Sequence, residues 1–409
     1  MTTTASAACT TVFDARLPSL AYLDAQNPDD AHRRIRAARQ QAPIALGSYG
    51  PEILTYDLAR AVLRDGRFRT PPRCRLRALG ITSGPLWDMN SNSLASLNGA
   101  NHHRLRKLVS RAFTPCGAER LRATVVDIIA ELVNPFTNAG RCDVVSDIAL
   151  RYPVPVICAA LGVPRADWQL FSRWADELMN LASNRGDTSS MVKSLDELHS
   201  YIDVMVADRC RKLTDDVLSE LILAEADGDE LEADEFRMLV GTLLTAGADT
   251  ARHQLAASVE LLCDHPDKWA LLAKHPELAS RAVEETMRHS PILFSVMRIA
   301  TDDVELASVL IPAGTLVCVN TAAANRDPEV YDDPDRLDFT RNGSPAMLAF
   351  GDGVHHCLGA HLARIELAEA LRLMARRMPN IRRAGPAPWK PLSGISGPIT
   401  VPVEFNTGH

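Results

Sequence analysis

The sequence lacks the features that would direct a protein into or across a membrane. Met1–Phe13 shows neither the charged start nor the apolar stretch of a signal peptide, and we expect no run to reach the apolar length that spans a bilayer. The nine cysteines follow no regular spacing and include no C-x-x-C pair, which argues against a disulfide framework and fits a reducing compartment. We therefore expect a cytoplasmic protein without a membrane anchor.

A strong net charge is also missing. The net charge of −7 is mild and 46% of the 409 residues are hydrophobic, so the composition indicates neither disorder nor a nucleic-acid partner. The length permits two domains, but single folds of this size exist. We expect residues 1–20 to be loosely ordered and residues 21–409 to form a single domain.

One loop concentrates the chemistry of the chain. Residues 350–364 have the sequence FGDGVHHCLGAHLAR, and its three glycines allow the backbone to turn tightly and to lie close to a bulky group. After Cys357 the apolar residues recur at helical spacing, at Leu358, Leu362 and Ile365. Cys357 therefore lies at a helix N-terminus, where the helix dipole favours a thiolate. Such a thiolate is a nucleophile or a metal ligand.

Two ordinary explanations of this cysteine compete with a functional one. A lone free cysteine is most often an inert core residue. A zinc site needs several thiol or imidazole ligands, but the nearest other cysteine is Cys318, and His355 and His356 are too close to Cys357 to complete a tetrahedron. A single axial thiolate beneath a large flat cofactor fits the glycine-rich loop better, which indicates haem held by cysteine.

The loop resembles, position by position, the haem loop of the cytochromes P450. The resemblance implies a mainly α-helical P450 fold with small β-sheets and haem b as the cofactor. Cys357 would be the iron ligand, Phe350 would pack beside its sulfur and His355 would reach a haem propionate. Gly359 is the matching glycine that follows the cysteine.

A second match lies in the predicted helix His102–Phe113. His102 and Arg106 are four residues apart and share a face. An ordinary amphipathic helix with polar edges is an equally good explanation of one such pair. The P450 family has this H-x-x-x-R pair on a propionate, although Asn98-Gly99-Ala100 stands where the family usually has D-P-P. Arg298 matches the family's other propionate-binding arginine.

The longest predicted helix, Asp234–Cys263, contains the sequence AGADT at residues 246–250. A glycine, an acid and a hydroxyl in an apolar helix work against helix stability, and such conflicts are tolerated mainly at functional sites. A solvated kink is the structural alternative. In the P450 family this is the acid–alcohol pair of the central helix. The resemblance implies that Thr250 steadies bound dioxygen and that Asp249 delivers protons.

Residues 284–288 place Glu285 and Arg288 one turn apart on one predicted helix, a weak signal by itself. In the P450 family this E-x-x-R pair joins a third residue, here expected to be Arg336 in the segment Pro334-Asp335-Arg336-Leu337. The three would form a buried ionic network that locks the cysteine loop.

Several segments are expected to surround the substrate. Residues 68–97 are predicted to be an irregular loop, and the predicted helices Trp168–Ala182 and Leu195–Arg211 resemble the P450 lid. The residues expected to line the pocket are mostly apolar, which favours an apolar ligand. They are Leu79, Ile81, Trp87, Met89, Leu178, Met179, Leu181, Leu243, Ala246, Ile292, Leu293, Phe294, Val296 and Ile395.

The resemblance implies a monooxygenase that inserts one oxygen atom from O₂ into a C–H bond of a mostly apolar small molecule. No reductase is fused to the chain, so a separate ferredoxin and ferredoxin reductase would supply electrons, docking at the outward face of Arg104, Lys107 and Arg111. The alternatives are a peroxygenase, P450-type oxidative coupling, desaturation or demethylation, and a haem-containing sensor or carrier without turnover.

Overall fold

The computed structural model describes residues 10–71, 76, 80–110, 113–179, 188–226, 231–343 and 345–407. It is 54% helical with small sheets, which confirms the predicted mainly α fold class. Within these residues the α-helices are α1 Pro28–Arg39, α2 Tyr56–Arg64, α3 Pro85–Asn92, α4 Gly99–Ser110, α5 Pro115–Arg120, α6 Arg122–Val133, α7 Pro153–Leu161, α8 Trp168–Met179, α9 Ser189–Arg211, α10 Val217–Ala226, α11 Ala233–Cys263, α12 Pro266–Lys274, α13 Ala279–His289, α14 Thr321–Ala324 and α15 Ala360–Arg377.

The strands form one mixed sheet and two small antiparallel ones. They are β1 Ile44–Gly47, β2 Gly50–Ile53, β3 Phe68–Arg69, β4 Arg141–Asp143, β5 Val296–Ala300, β6 Val304–Leu306, β7 Val309–Ile311, β8 Leu316–Val319, β9 Arg382–Arg383 and β10 Pro402–Glu404. The largest sheet has the order β1-β2-β8-β5-β3, in which only β2 and β8 run parallel. The other two have the orders β4-β10-β9 and β6-β7.

The large helical core is built around α11. A capping box starts this helix: the Glu232 side chain bonds the backbone of Glu235, and the Glu235 side chain bonds back. Gly247 lies against α7, since a Cβ at this position would come within 2.5 Å of Ile157 Cδ1. The glycine therefore permits close helix packing. The Ile157 side chain fills the space beside the glycine.

One segment has the composition of a membrane span, contrary to our expectation. Val144–Leu161 is 18 residues long with a mean hydropathy of 1.6, and 67% of it is buried inside the protein. It joins a π-helix, Val144–Ala149, to α7. Its burial is typical of a core segment in a helical fold.

The start of the described chain is attached to the sheet region rather than loosely ordered. Val12 is fully buried and its N–H donates to the carbonyl of Leu310 on β7 at 2.8 Å. Ser19 forms a bridge with Leu46 on β1. Our expectation for residues 1–20 was therefore wrong for residues 10–20, because a single buried valine and a few backbone bonds are not visible as a pattern in the sequence.

Two predicted segments differ in their boundaries. The stretch predicted to be irregular, residues 68–97, contains the helix α3, which starts at a proline as helices often do. The second lid helix, α9, begins at Ser189 instead of Leu195. The first lid helix, α8, is described only to Met179, and residues 180–187 lie outside the described residues.

Candidate active site

The cysteine loop is held by its own backbone and by α2. The N–H of Cys357 donates to the carbonyl of Phe350 at 2.9 Å. Gly353 has a φ of +68° and lies so close to α2 that a Cβ would meet the carbonyl oxygen of Leu63 at 2.4 Å, so only glycine fits there. Asp352 accepts from Arg64 Nε at 2.9 Å and from the N–H of Gly353 at 2.7 Å. The loop conformation is therefore fixed on both sides of the cysteine.

The sulfur of Cys357 lies among opposing influences. Burial raises the pKa of the thiol, whereas the N–H of Gly359 and the charges of Arg106 and Arg364 lower it. Gly359 precedes α15, so the helix dipole acts in the same direction as the cations. The Arg364 guanidinium lies 4.5 Å from the centre of the Phe350 ring and orders that ring beside the loop. The pKa of the free thiol is raised overall, and the Gly359 N–H and the two arginines would stabilise the thiolate that forms when a metal binds.

Four basic side chains converge beside this loop, and none of them pairs with a carboxylate in the described part of the chain. Arg106 donates to the backbone carbonyl of His356 at 2.6 Å. His102 is 1% exposed with its ring 4.3 Å from that of His355. Arg298 is 7% exposed, and its Nη1 bonds only the carbonyl of Met297, at 2.9 Å.

Burial lowers the pKa values of Arg298 and His355, and for His355 the neighbouring positive charges add to this effect. Burial lowers the pKa of Arg298 to about 10. Burial, together with His102, Arg298 and Arg106, lowers the pKa of His355 to about 4. The Nε2 atom of His102 is buried without a hydrogen-bond partner among the described residues. A buried cluster of this kind calls for anionic oxygens.

The residues therefore fit haem b. The two propionates of haem are carboxylates, and His102, Arg106, His355 and Arg298 offer basic donors that have no carboxylate partner among the described residues. The space beside Gly359 is open, since a Cβ there would meet nothing within 4 Å. The predicted cofactor residues thus lie together around the cysteine, as the sequence motifs suggested, although their roles remain a proposal.

The acid and alcohol of α11 sit on an unbroken helix. The Thr250 hydroxyl donates to the carbonyl of Ala246, one turn earlier, at 2.9 Å. Ala246 itself is exposed. Asp249 is partly buried and is clamped by Arg252, whose Nη2 lies 2.8 Å from Asp249 Oδ1. The helix continues without interruption from Ala233 to Cys263.

Three basic residues near Asp249 were not predicted from the sequence: Arg252 and His253, which contact its carboxylate, and Lys390, which contacts His253. His253 Nε2 lies 3.3 Å from Asp249 Oδ1, and Lys390 Nζ lies 3.0 Å from the same ring nitrogen. Arg252 also reaches Asp176 on α8 at 3.3 Å. Burial raises the pKa of Asp249, but the hydrogen bonds and charges of His253 and Arg252 outweigh it and hold this pKa well below its usual range. A helical spacing of three and four residues from Asp249 could have indicated Arg252 and His253, but nothing in the sequence points to Lys390.

The buried network on α13 has a different third member from the one predicted. Glu285 and Arg288 form two hydrogen bonds of 2.8 Å, and Arg341 Nε lies 3.4 Å from the same carboxylate. Arg336 is instead a surface residue with a side chain 62% exposed, which pairs with Asp338 at 2.9 Å. Only the backbone carbonyl of Arg336 takes part, accepting from Arg288 at 3.2 Å. Arg341 replaces Arg336 because the chain between them reverses over Glu285.

The predicted pocket residues are only partly brought together. A backbone bridge joins Leu293 to Ile395. Phe294 was wrongly assigned: it is 1% exposed and stacks on Tyr22 at 5.9 Å, facing α1. Leu79 and Leu181 lie outside the described residues. Ile292, Leu178 and Leu243 are buried, and the half-buried members are Ile81, Trp87, Met89, Met179 and Val296.

The predicted docking face on α4 is smaller than expected. Arg104 pairs with Glu235 at the start of α11, so its charge is directed inward to that helix. Lys107 is exposed. Arg111 lies outside the described residues.

Comparisons with known proteins agree with this geometry. The family model for cytochrome P450 matches residues 272–378. Luteothin monooxygenase of Streptomyces thioluteus is 34% identical over 96% of this chain and 97% of its own. Mycinamicin IV hydroxylase/epoxidase of Micromonospora griseorubida is 37% identical over 87% of this chain and 90% of its own. The crystal structure of CalO2 has a TM-score of 0.87 at 28% identity and covers 96% of this chain and 100% of that one.

The chain belongs to the cytochrome P450 family. It is an oxidoreductase, a P450 monooxygenase whose family cofactor is haem b. Members of this bacterial group require redox partners and O₂.

Proposed function

We propose that this monooxygenase inserts one oxygen atom from O₂ into a C–H bond of a mostly apolar small molecule, with electrons from a separate ferredoxin. The observation that carries the proposal is the combination of the fixed Cys357 loop with the unpaired, buried Arg298 and His102. When bound, haem b supplies the redox chemistry that activates O₂.

The residues of the chain have separate tasks in this proposal. Cys357 holds the iron, and its sulfur is tuned by the Gly359 N–H and the Arg364 charge. His102, Arg106, His355 and Arg298 hold the propionates. The network of Glu285, Arg288 and Arg341 is structural, because it ties α13 to the segment that precedes the loop.

The oxygen side of the site belongs to α11. The Thr250 hydroxyl, whose bond to the carbonyl of Ala246 at 2.9 Å is exposed, would be free to donate to a ligand on this side of the site instead. Asp249 holds and releases a proton beside it. Correct proton delivery makes oxygen transfer faster than the release of hydrogen peroxide.

The experiment that tests the cofactor assignment replaces Cys357 by Ser. We expect the parent protein, once reduced and exposed to CO, to show the absorption band that names the family, because a thiolate ligand produces it. Cys357→Ser should lose that band, while Cys210→Ser, at an exposed cysteine of α9, should keep it. A band that survives in Cys357→Ser would exclude this residue as the ligand.

An apolar substrate follows from the pocket residues that remain after the correction of Phe294. None of them is charged, so burial of hydrocarbon at roughly 25 cal/mol per Å² would dominate binding. Terpenoid, steroid or other lipid-like molecules have such surfaces. Spectral titration of each neutral compound against its charged analogue tests this. Consistently tighter binding of the charged members would contradict it.

A second reaction type has support from one relative. The name of the Micromonospora griseorubida enzyme includes both hydroxylase and epoxidase, so oxygen transfer to a C=C bond is an alternative outcome at the same site. Product analysis with a substrate that offers both a C–H and a C=C bond distinguishes the two.

For electron supply we infer docking on the Cys357 side of α4. Arg106 bonds the cysteine loop, and the next residue on α4, Lys107, is exposed and adds a surface cation to a chain with a net charge of −7. Lys107→Glu should slow reduction by an acidic ferredoxin and flatten its dependence on salt. Lys193→Glu on the lid helix α9 is the control. An unchanged reduction rate in Lys107→Glu would place the docking surface elsewhere.

We also propose that residues 21–409 form one domain and that the protein works in the cytoplasm. Free cysteines support the location, since all seven in the described part of the chain are unpaired, as is usual in a reducing compartment.

A further inference from the structure

The Nε2 atom of His253 lies between the carboxylate of Asp249 and the ammonium of Lys390. His253 is 3% exposed and lies one turn after Asp249 on α11. Its Nε2 atom is 3.3 Å from Asp249 Oδ1 and 3.0 Å from Lys390 Nζ. The two neighbours require opposite protonation states of Nε2. The Asp249 carboxylate accepts a hydrogen bond and so requires a proton on Nε2, whereas the Lys390 ammonium donates one and so requires a lone pair there.

These two contacts can be satisfied only in alternation. When Nε2 is unprotonated it accepts from Lys390, and when it is protonated it donates to Asp249. A change from one state to the other carries a proton from the lysine side to the aspartate side. Arg252, the other partner of Asp249, cannot serve in this way because a guanidinium does not give up its proton in proteins.

The loop that carries Lys390 is fixed against the ring of His253. The N–H of Lys390 donates to the carbonyl of Gly397 at 3.0 Å, and the Ser396 hydroxyl donates to the carbonyl of Lys390 at 2.8 Å. A Cβ at Gly397 would come within 2.9 Å of His253 Cβ and Nδ1. The ammonium is therefore positioned by a rigid turn and by the only residue type that fits beside the ring.

Both ends of this arrangement suit proton movement. Lys390 is half-buried, and burial lowers the pKa of its ammonium, so the group gives up a proton more readily than a surface lysine. Asp249 is strongly held as an anion and needs a donor at hand to be protonated. The charged groups that face this site are Asp249, Arg252 and His253 on α11, Lys390 on the loop and Asp176 on α8, which reaches it through Arg252.

We propose that Lys390 and His253 form the path by which solvent protons reach Asp249 during turnover. This rests on the proton-donor role proposed for Asp249. The Lys390 ammonium transfers a proton to Nε2, which leaves a neutral amine and an imidazolium. The imidazolium transfers its Nε2 proton to Asp249 Oδ1, and solvent reprotonates the amine, so one proton enters for each one delivered.

The experiment uses the haem-loaded enzyme with three variants. Lys390→Arg keeps the positive charge but cannot release a proton, and Lys390→Met removes both the charge and the proton. His253→Gln keeps a hydrogen-bonding side chain that cannot accept and pass on a proton. Lys274→Arg, at an exposed lysine on α12, is the control. We expect each of the three variants to form roughly tenfold less product per NAD(P)H consumed, with the electrons appearing as hydrogen peroxide.

Turnover driven by added hydrogen peroxide provides the internal check. Hydrogen peroxide already carries the protons that the path would deliver, so all three variants should turn over at the parent rate when peroxide is added. A variant whose site is damaged would lose this peroxide-driven turnover as well. A separate measurement, ¹⁵N NMR of the His253 ring, should show less protonation of Nε2 in the parent protein than in Lys390→Met, because the Lys390 ammonium competes with Asp249 for this nitrogen.

The outcomes separate this inference from the proposed function. If Lys390→Arg behaves like the parent enzyme, or if the NMR state of the ring does not change, the path is overturned and the lysine only supplies charge. If Asp249→Asn loses coupling while His253→Gln and Lys390→Met do not, the role of Asp249 stands and the path is wrong. If Asp249→Asn also keeps full coupling, the proton-donor role proposed for Asp249 is wrong, and the path that rests on it is wrong as well.

Discussion

Arg298 and Asp249 differ in whether their charges are paired within the protein. Arg298 is buried beside the cysteine loop with no carboxylate partner in the described part of the chain, whereas Asp249 is surrounded by Arg252 and His253. An unpaired buried cation costs free energy until an anion binds. An acid clamped by two partners is stable but reluctant to take up a proton. Arg298 is therefore suited to bind an anionic cofactor, whereas Asp249 requires a neighbouring proton donor before it can transfer a proton.

The hydroxyl of Thr250 is expected to control coupling rather than binding. Thr250→Ala should retain haem and substrate binding but form roughly tenfold less product per NAD(P)H, because protons and oxygen are no longer held together. Thr245→Ala is a matched control, since Thr245 makes the same bond, at 2.9 Å, to the carbonyl of Gly241 four residues earlier. Equal coupling in Thr250→Ala and the parent would contradict the assigned role, even though an ordered water can substitute in part.

Glu366 on α15 is expected to make stability depend on pH. Burial raises the pKa of this carboxyl from 4.5 to about 8, so the folded state keeps the proton that the unfolded chain loses. The contribution is most favourable below pH 4.5 and is lost progressively as the pH rises to about 8, by up to about 5 kcal/mol at roughly 1.4 kcal/mol per pKa unit.

Urea unfolding at acidic and alkaline pH measures this effect. Glu366→Gln, which stays neutral, should be more stable than the parent at pH 8 and nearly equal to it at pH 4.5, the two pKa limits given for this group. Glu404→Gln on β10, at a partly exposed residue, should show no such trend. A parallel pH profile for the parent and Glu366→Gln would mean that the carboxyl is ionised in the folded protein.

At the scale of elements, the site depends on a few connections between helices and loops. α4 reaches the cysteine loop through Arg106, α2 holds it through Asp352, and α13 anchors the preceding segment through Arg288. Arg341 adds further bonds, to the carbonyls of Asp333 and Arg336 at 3.2 and 3.1 Å. The loop is therefore positioned by residues that do not touch the sulfur.

Arg341 and Arg336 provide a direct test of this anchoring. Arg341→Gln should lower the free energy of unfolding by about 2–3 kcal/mol and speed haem loss, because a buried carboxylate and several carbonyls lose a donor. Arg336→Gln should change stability by less than about 0.5 kcal/mol, as expected for an exposed pair. Urea midpoints and haem transfer to an acceptor protein measure both. A larger effect for Arg336→Gln would restore the original sequence-based assignment.

At the scale of the whole molecule, the buried apolar residues divide between helices and sheet. The largest group surrounds α11, a second covers the mixed sheet, and a third packs α1 against Phe294. Val12 belongs to the second group, so the start of the described chain contributes to the sheet core. The corrected position of Phe294 follows from the same division, since its ring completes the third group.

Val12 and Phe13 are neighbours with opposite surroundings. Val12→Ala should cost about 1–3 kcal/mol, because Val12 is fully buried. Phe13→Ala should be nearly neutral, because Phe13 is 56% exposed. Thermal unfolding of the two variants beside the parent decides the matter. Equal melting temperatures would show that residues 10–20 add little to the fold.

Local motifs determined much of this protein from the sequence alone. The cysteine loop, the His102–Arg106 pair and the AGADT segment are visible as residue types at short spacing, and the helical fold class was implied by the family resemblance that these motifs carry. Such patterns are visible because helix periodicity, glycine freedom and the chemistry of thiolates act over a few residues.

Only the tertiary structure decided which distant residues meet. Arg341 instead of Arg336 reaches Glu285, Arg104 turns to Glu235, and Lys390 touches His253 across 137 positions of the chain. These pairings depend on how the chain reverses between elements. The sequence around a charged residue does not indicate which distant residue it pairs with. The physical reason is that packing of the whole core fixes the distances, while local spacing fixes only the face of a helix on which a residue lies.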